Sequence, residues 1–182
     1  EVAPVERITD RADAGAAAPV SAGGYSEAPM LAELVAAGSL PPVDERIPES
    51  PLVMEVAEEI GNYGGTFRRG FKGVSDRWGP TKHVDRSLVW WDKDLVQRPR
   101  LVEAYELSDD ATTWTFHLRP GTKWSDGAPM TTADVVWWWE NYATNTDIFP
   151  GGAGNNWVSG ADRIPMEVEA VDDYTFTFTY AE

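Results

Sequence analysis

The stretch Tyr174-Thr175-Phe176-Thr177-Phe178-Thr179-Tyr180 alternates without a break, rings at one parity and threonines at the other. Successive side chains on a strand point to opposite faces, so this is a strand with one wholly aromatic face and one threonine face. Met166-Glu167-Val168-Glu169-Ala170-Val171 also alternates, and Asp172-Asp173 between the two supplies a turn, which predicts a hairpin. A face of four rings must be covered. So little helix precedes it that the cover is expected from elsewhere: the remainder of a longer chain, or another subunit.

A second hairpin is predicted upstream. Leu101 to Leu107 is followed by the turn Ser108-Asp109-Asp110, and Thr113 to Leu118 places Trp114, Phe116 and Leu118 on one face. Ser125-Asp126-Gly127 reads as a tight turn rather than a calcium or catalytic element, since no EF-hand pattern surrounds it. Thr131 with Asp134 three residues on resembles a capping box and starts a helix to about Tyr142. That helix is apolar nearly all round, which implies burial on more than one side. Ser87 to Trp91 is a short strand or a helix end, which periodicity does not decide. Residues 66–69 look like a strand start, and 73–80 and 144–163 like loops.

Residues 1–24 are Ala, Gly, Pro and charge and read as a flexible lead-in. A short helix is predicted over 26–38, with Ser26 as N-cap, Pro29 in the first turn, Gly38 just past the end, and Met30, Leu31, Leu34 and Val35 as its apolar stripe. Pro41, Pro42, Pro48 and Pro51 then impose an extended segment that wraps across something larger. The chain begins at Glu1 rather than Met, as a processed or trimmed product would, with any export signal or lipid-anchor cysteine expected upstream.

Composition removes several function classes. Of 182 residues, 42% are hydrophobic and 12% aromatic, enough for a core and for one domain or slightly more. Thirty acidic residues against 15 basic ones give a net charge of −15, which argues against nucleic acid and anionic membrane surfaces as partners. Most of that charge is expected to solvate an exported surface. There is no cysteine, so disulfides, thiolate metal sites and cysteine nucleophiles are excluded. No apolar run approaches the about 18 residues of a membrane span. His83 and His117 are the only histidines, no local ligand set surrounds them, and neither metal nor cofactor is expected. No nucleophile elbow, phosphate-binding loop or dinucleotide fingerprint is present, and an enzyme is the least favoured reading.

Several motifs fall in one order: Tyr63-Gly64-Gly65-Thr66, Pro99 with Leu101 to Glu106, Ser108-Asp109-Asp110, Trp114 to Gly121, Lys123-Trp124-Ser125-Asp126-Gly127, Thr131 to Val135, and Val168 to Thr175. In this order and spacing they resemble the extracellular solute-binding proteins of bacterial ABC importers, the oligopeptide/dipeptide/nickel-binding family (family 5). The resemblance covers roughly 61–182. Residues 25–60 resemble an N-terminal extension of a larger-bodied branch.

The resemblance implies a mixed α/β (α+β) fold of the type II periplasmic-binding-protein class. It implies that 61–182 is an incomplete N-terminal portion of the solute-binding domain, holding the beginning of lobe I and most of a small extra domain but not the second lobe. Residues 25–60 would be a helix plus Pro-rich arm. The implied function is capture of an extracellular solute, such as a peptide or oligosaccharide, and delivery to a membrane permease, with hinge closure over the ligand. The location would be periplasmic or extracellular, with the full-length protein membrane-tethered. By the same resemblance the loop after the first strand and the loop after the long helix approach the ligand, which makes Ser75, Asp76, Arg77, Trp78, Phe149 and Trp157 the candidate ligand-binding residues. Trp114, Trp124 and Trp137 to Trp139 read instead as core or interlobe packing, because they sit inside strand or helix patterns.

A rival of another class is a structural or interaction subunit that docks on a larger assembly through its N-terminal arm and uncovered aromatic strand. A free-standing sugar-binding module comes third, and would bind oligosaccharide without a second lobe.

Overall fold

The computed structural model describes residues 25–54 and 87–181, positions 56, 59, 64, 66, 68, 70, 72 and 73, and the backbone of Ile8–Thr9. The elements are β1 (Ile8–Thr9), α1 (Pro29–Ala36), α2 (Val43–Arg46), β2 (Val89–Trp91), β3 (Gln97–Pro99), β4 (Val102–Leu107) and β5 (Thr113–Leu118). There follow α3 (Thr132–Trp138), β6 (Val158–Ser159), β7 (Ile164–Pro165), β8 (Glu167–Ala170) and β9 (Thr175–Thr179). The main sheet has the order β1-β4-β5-β9-β8, and β2-β3 and β6-β7 are small antiparallel pairs. The strand-like start at 66–69, apart from positions 66 and 68, and the loop at 73–80, apart from position 73, fall outside the described residues. So does most of the lead-in, in which Ile8 and Thr9 pair with Tyr105 and Ala104.

Both predicted hairpins form, and they join in one sheet. β5 pairs with β9 so that Phe116 faces Phe176, Trp114 faces Phe178, and Thr115 faces Thr177. Like faces therefore meet, rings beside rings and threonines beside threonines. On the aromatic side Phe116 stacks on Phe176 with centroids 5.2 Å apart and meets Phe178 edge-on at 5.3 Å. A register shift between Val102 and Ala104 breaks the strict alternation of β4. It lets Val102 and Tyr105, three apart, both join the core, which an unbroken period of two forbids.

The aromatic face is packed by this stretch of chain itself, which corrects the expectation that the remainder of a longer chain or another subunit covers the C-terminal hairpin. Phe176 is 0% exposed, and Phe178 is also buried. Trp139, Ala143, Ala153 and Met166 close over them, with Val135, Trp138 and Trp157 packed alongside. The cover comes from α3, the π-turn Trp139–Ala143 that continues it, and the segment after it. Its composition predicts plain loop, yet it holds a 3-10 turn (Asn155–Trp157) and the β6-β7 pair. The docking subunit reading loses one of its two supports here, the uncovered aromatic strand.

The start of α3 is as predicted. Asp134 accepts a hydrogen bond from the Thr131 backbone N–H at 2.9 Å, and from the Trp124 indole N–H at 3.2 Å. Thr132 is buried and donates its hydroxyl to Asp172 O at 2.6 Å, which fixes the helix start on the β8-β9 turn. Asp134→Ala is expected to cost about 1 kcal/mol in urea unfolding, the usual value of a helix cap. A change within about 0.3 kcal/mol of zero would mean that the cap contributes nothing.

At the N-terminus the start differs from the expectation. Ala28, not Ser26, is the N-cap, with Pro29 in the first helical turn, where its missing N–H costs nothing. Gly38 takes φ +70° just past the end, and Ser39 N–H bonds Leu34 O at 2.9 Å. The Pro-rich stretch is not wholly extended, because α2 interrupts it. Glu27 accepts from Val43 N–H at 3.1 Å and pairs with Arg46, so one carboxylate holds both ends of that turn.

Three aspartates shape the turns. Asp172 accepts from the N–H groups of Tyr174 and Thr175 at 2.8 and 2.7 Å, and Asp110 accepts from the Ser108 hydroxyl and Thr112 N–H. Asp92 accepts from Val96 N–H and from Arg98. These bonds favour the charged carboxylates. The Tyr174 N–H holds Asp172 below the usual aspartate range, the Ser108 hydroxyl does so for Asp110, and the Val96 N–H for Asp92. A depressed folded-state pKa contributes stability above the unfolded aspartate value, and that contribution is lost as pH falls through the folded values. Asp110→Asn combined with Asp172→Asn should therefore show a smaller fall in urea midpoint between pH 7 and about pH 3 than the parent. An equal fall would remove these turns from the acid response.

Candidate functional site

After α3 the backbone widens by one residue per turn. Thr144 N–H bonds Trp139 O at 3.2 Å, a five-residue spacing, and the Thr144 hydroxyl bonds the same carbonyl at 2.8 Å. Asn141 donates its amide to Trp137 O, and Asn145 to Asn141 O, each at 3.1 Å. Asn145 O then accepts Phe149 N–H at 2.8 Å. This run of amides carries the chain from the helix into a turn and sets Phe149 beside Tyr142. The two rings meet edge to face, centroids 5.3 Å apart and planes at 89°.

This pair lies on the surface. Tyr142 is 46% exposed and Phe149 37%, with Ile148 also exposed beside Phe149 in sequence. Trp137 is 63% exposed. Burial of the helix on more than one side is therefore not what the fold does: Trp139 and Ala143 face the core, and Trp137 and Tyr142 face solvent. Trp137 and Trp124, read as core or interlobe packing, are exposed on this chain and take no part in its core. An apolar residue on every side of a helix says nothing about which side meets the sheet.

Of the six candidate residues, Ser75, Asp76, Arg77 and Trp78 lie outside the described residues. Phe149 and Trp157 are described and belong to the same connecting segment, but their rings pack differently. Trp157 is half-buried, edge-on to Trp138 at 5.3 Å and to Phe178 at 6.1 Å. It is part of the cover over the sheet. Phe149 keeps an open edge. Tyr142 was read only as helix packing, and its pairing with Phe149 needs the π-turn, which no local pattern announces.

The threonine face of the sheet is polar and self-satisfied. His117 Nε2 lies 3.3 Å from Glu106 Oε1, its Nδ1 3.4 Å from the Thr175 hydroxyl, and Thr113 and Thr179 share a bond at 3.3 Å. Among the described residues no group of three or more His, Asp or Glu comes together to hold a metal ion. No helix among them is long and apolar enough to cross a membrane.

Comparison with known proteins covers most of the chain. Residues 97–182 match the model of the family described as bacterial extracellular solute-binding proteins, family 5 Middle. The periplasmic alpha-galactoside-binding protein of Rhizobium meliloti (strain 1021) is 28% identical over 87% of this chain and 26% of its own length. The periplasmic oligopeptide-binding protein OppA of Escherichia coli (strain K12) is 33% identical over 57% of this chain and 21% of its own. Among solved structures, an oligopeptide-binding protein OppA matches with TM-score 0.77 and 43% identity, over 87% of this chain and 24% of that one. The periplasmic binding protein MelB of Agrobacterium fabrum C58, solved with stachyose, matches with TM-score 0.69 and 30% identity, over 87% of this chain and 27% of that one. The mixed α/β arrangement is thus that of a periplasmic binding protein, over part of its length. The chain spans about a quarter of the length of the relatives it matches.

Proposed function

Residues 97–182 belong to the family 5 bacterial extracellular solute-binding proteins, and from that premise we propose that this protein is the capture component of an ABC import system. It takes up a peptide or an oligosaccharide outside the cytoplasmic membrane and delivers it to the permease. The observation that carries this reading is the match to OppA over 87% of the chain at 43% identity. The similarity to an alpha-galactoside-binding protein and to a stachyose-bound one keeps oligosaccharides beside peptides as ligand class. Nothing in the reading calls for bond making or breaking. The site needs complementary shape, aromatic stacking surfaces and hydrogen-bonding groups, and a second lobe to close on the ligand. The location is periplasmic or extracellular, with a membrane tether on the full-length protein.

Within this reading, residues 25–60 form an arm, and 61–182 the first part of the binding domain. Ser75, Asp76, Arg77 and Trp78, with Phe149, are the ligand-facing residues proposed in this part of the protein. Trp157, half-buried against Trp138 and Phe178, is the remaining candidate, and its ring packs into the cover over the sheet. The open edge of Phe149 against Tyr142 is a surface on which a sugar ring or an apolar side chain can lie.

The test is calorimetric titration of the full-length protein with stachyose and, separately, with a mixed tetrapeptide pool. Saturable binding of one class is expected, weakened by Phe149→Ala with the melting temperature unchanged. Absence of binding by both classes would sink the capture reading.

A further inference from the structure

The arm and the sheet meet at the turn 119–123. Glu49 N–H donates to Pro120 O at 3.0 Å, Arg119 Nη1 donates to Ser50 O at 2.8 Å, and the Lys123 ammonium donates to Glu45 O. Each of these bonds reaches the main chain of the arm, at Glu45 in α2 and at Glu49 and Ser50 beyond it, so the turn reads the arm's backbone and not a particular side chain. Gly121 takes φ +78°, and a Cβ there would stand 3.3 Å from Glu49 N and 3.5 Å from Pro48 Cα. Only glycine gives both that dihedral and that approach. Pro48 and Pro51 flank the contact and limit the freedom the arm loses on docking.

Arg119 joins this contact to a second one. It is 3% exposed, and its Nε donates to Arg100 O at 2.9 Å. Arg100 N–H in turn bonds Leu88 O at 2.9 Å, and Val102 N–H reaches the same carbonyl at 3.4 Å. One guanidinium therefore ties Ser50, in the Pro-rich part of the arm, to the strand junction that holds Leu88.

We infer that Arg119 is a positioning residue: it fastens the arm to the sheet and fixes the spacing between Ser50 and Leu88. Arginine suits the task because its donors stand in a rigid planar fork and reach two carbonyls at once, whereas the single ammonium of lysine reaches one. A buried guanidinium also needs its donors met, so the arm and the strand junction hold each other in place. The inference is independent of which ligand the protein carries.

Hydrogen exchange on the full chain tests it, comparing the parent with Arg119→Lys and Gly121→Ala. The first removes the fork. The second leaves the guanidinium and obstructs the seat, so it carries the test if the lysine variant does not fold. In both, amides in a peptide spanning 43–51 should exchange at least about tenfold faster, while those of β9 stay within about twofold of the parent. The inference is overturned if the arm keeps its protection in the folded variants. It is equally overturned if arm and β9 lose protection together, since Arg119 would then be serving general stability.

Discussion

Phe176→Ala is expected to lower the unfolding free energy by about 3–5 kcal/mol, the range for removing a fully buried aromatic ring from a core. Phe176 has no exposed surface. Its ring lies 5.2 Å from both Phe116 and Phe178, and on the backbone it stands between Phe116 of β5 and Ala170 of β8. Removing it opens a cavity where two hairpins and the helical cover converge, and strands pinned in register cannot collapse into it. Since a domain's total stability is about 5–15 kcal/mol, a large fraction of the chain's reserve would be gone. Phe176→Leu, which keeps most of the volume, should cost much less. Urea unfolding followed by tryptophan fluorescence measures both. A loss below about 1 kcal/mol for the alanine variant would place the core elsewhere.

The second large effect separates two residues that the sequence makes look alike. Trp157→Ala should cost about 2–4 kcal/mol, because the indole closes the layer against Trp138 and Phe178. Phe149→Ala should cost under about 1 kcal/mol, because that ring is part-exposed at the surface, edge-on to Tyr142, and lies outside the buried core cluster. Thermal and urea unfolding of the pair would read the difference. If Trp157→Ala were neutral and Phe149→Ala severe, the two roles would be exchanged.

The motif run from Leu101 to Val135 was legible in the sequence as that of a solute-binding family, and residues 97–182 match the family model. The candidate site was less legible. Four of its residues, 75–78, lie outside the described part. The fifth, Phe149, makes its ring contact through a π-turn created by backbone spacing rather than by any residue type. Trp157 was singled out because it lies in a loop-like stretch, yet that stretch folds back over the sheet and half-buries it. The seat for the arm was not legible at all. Gly121 and Arg119 read as part of a family motif, and the carbonyl of Ser50 lies 69 positions from the guanidinium that binds it.

By itself the sequence determined the elements whose cause is local. Alternation along 113–118 and 174–180 sets strands and faces, because side chains on a pleated backbone alternate whatever surrounds them. The Asp172 and Asp110 turns and the Thr131–Asp134 cap form from bonds that span a few residues. Tertiary structure decided everything that depends on one element meeting another. It chose which side of an all-round apolar helix covers the rings, which leaves Trp139 buried and Trp137 in solvent. It placed the register shift that brings Val102 and Tyr105 to one face, and it seated the arm on the turn after β5. These outcomes come from shape and burial summed over distant residues, and such sums leave no period in the chain to be read.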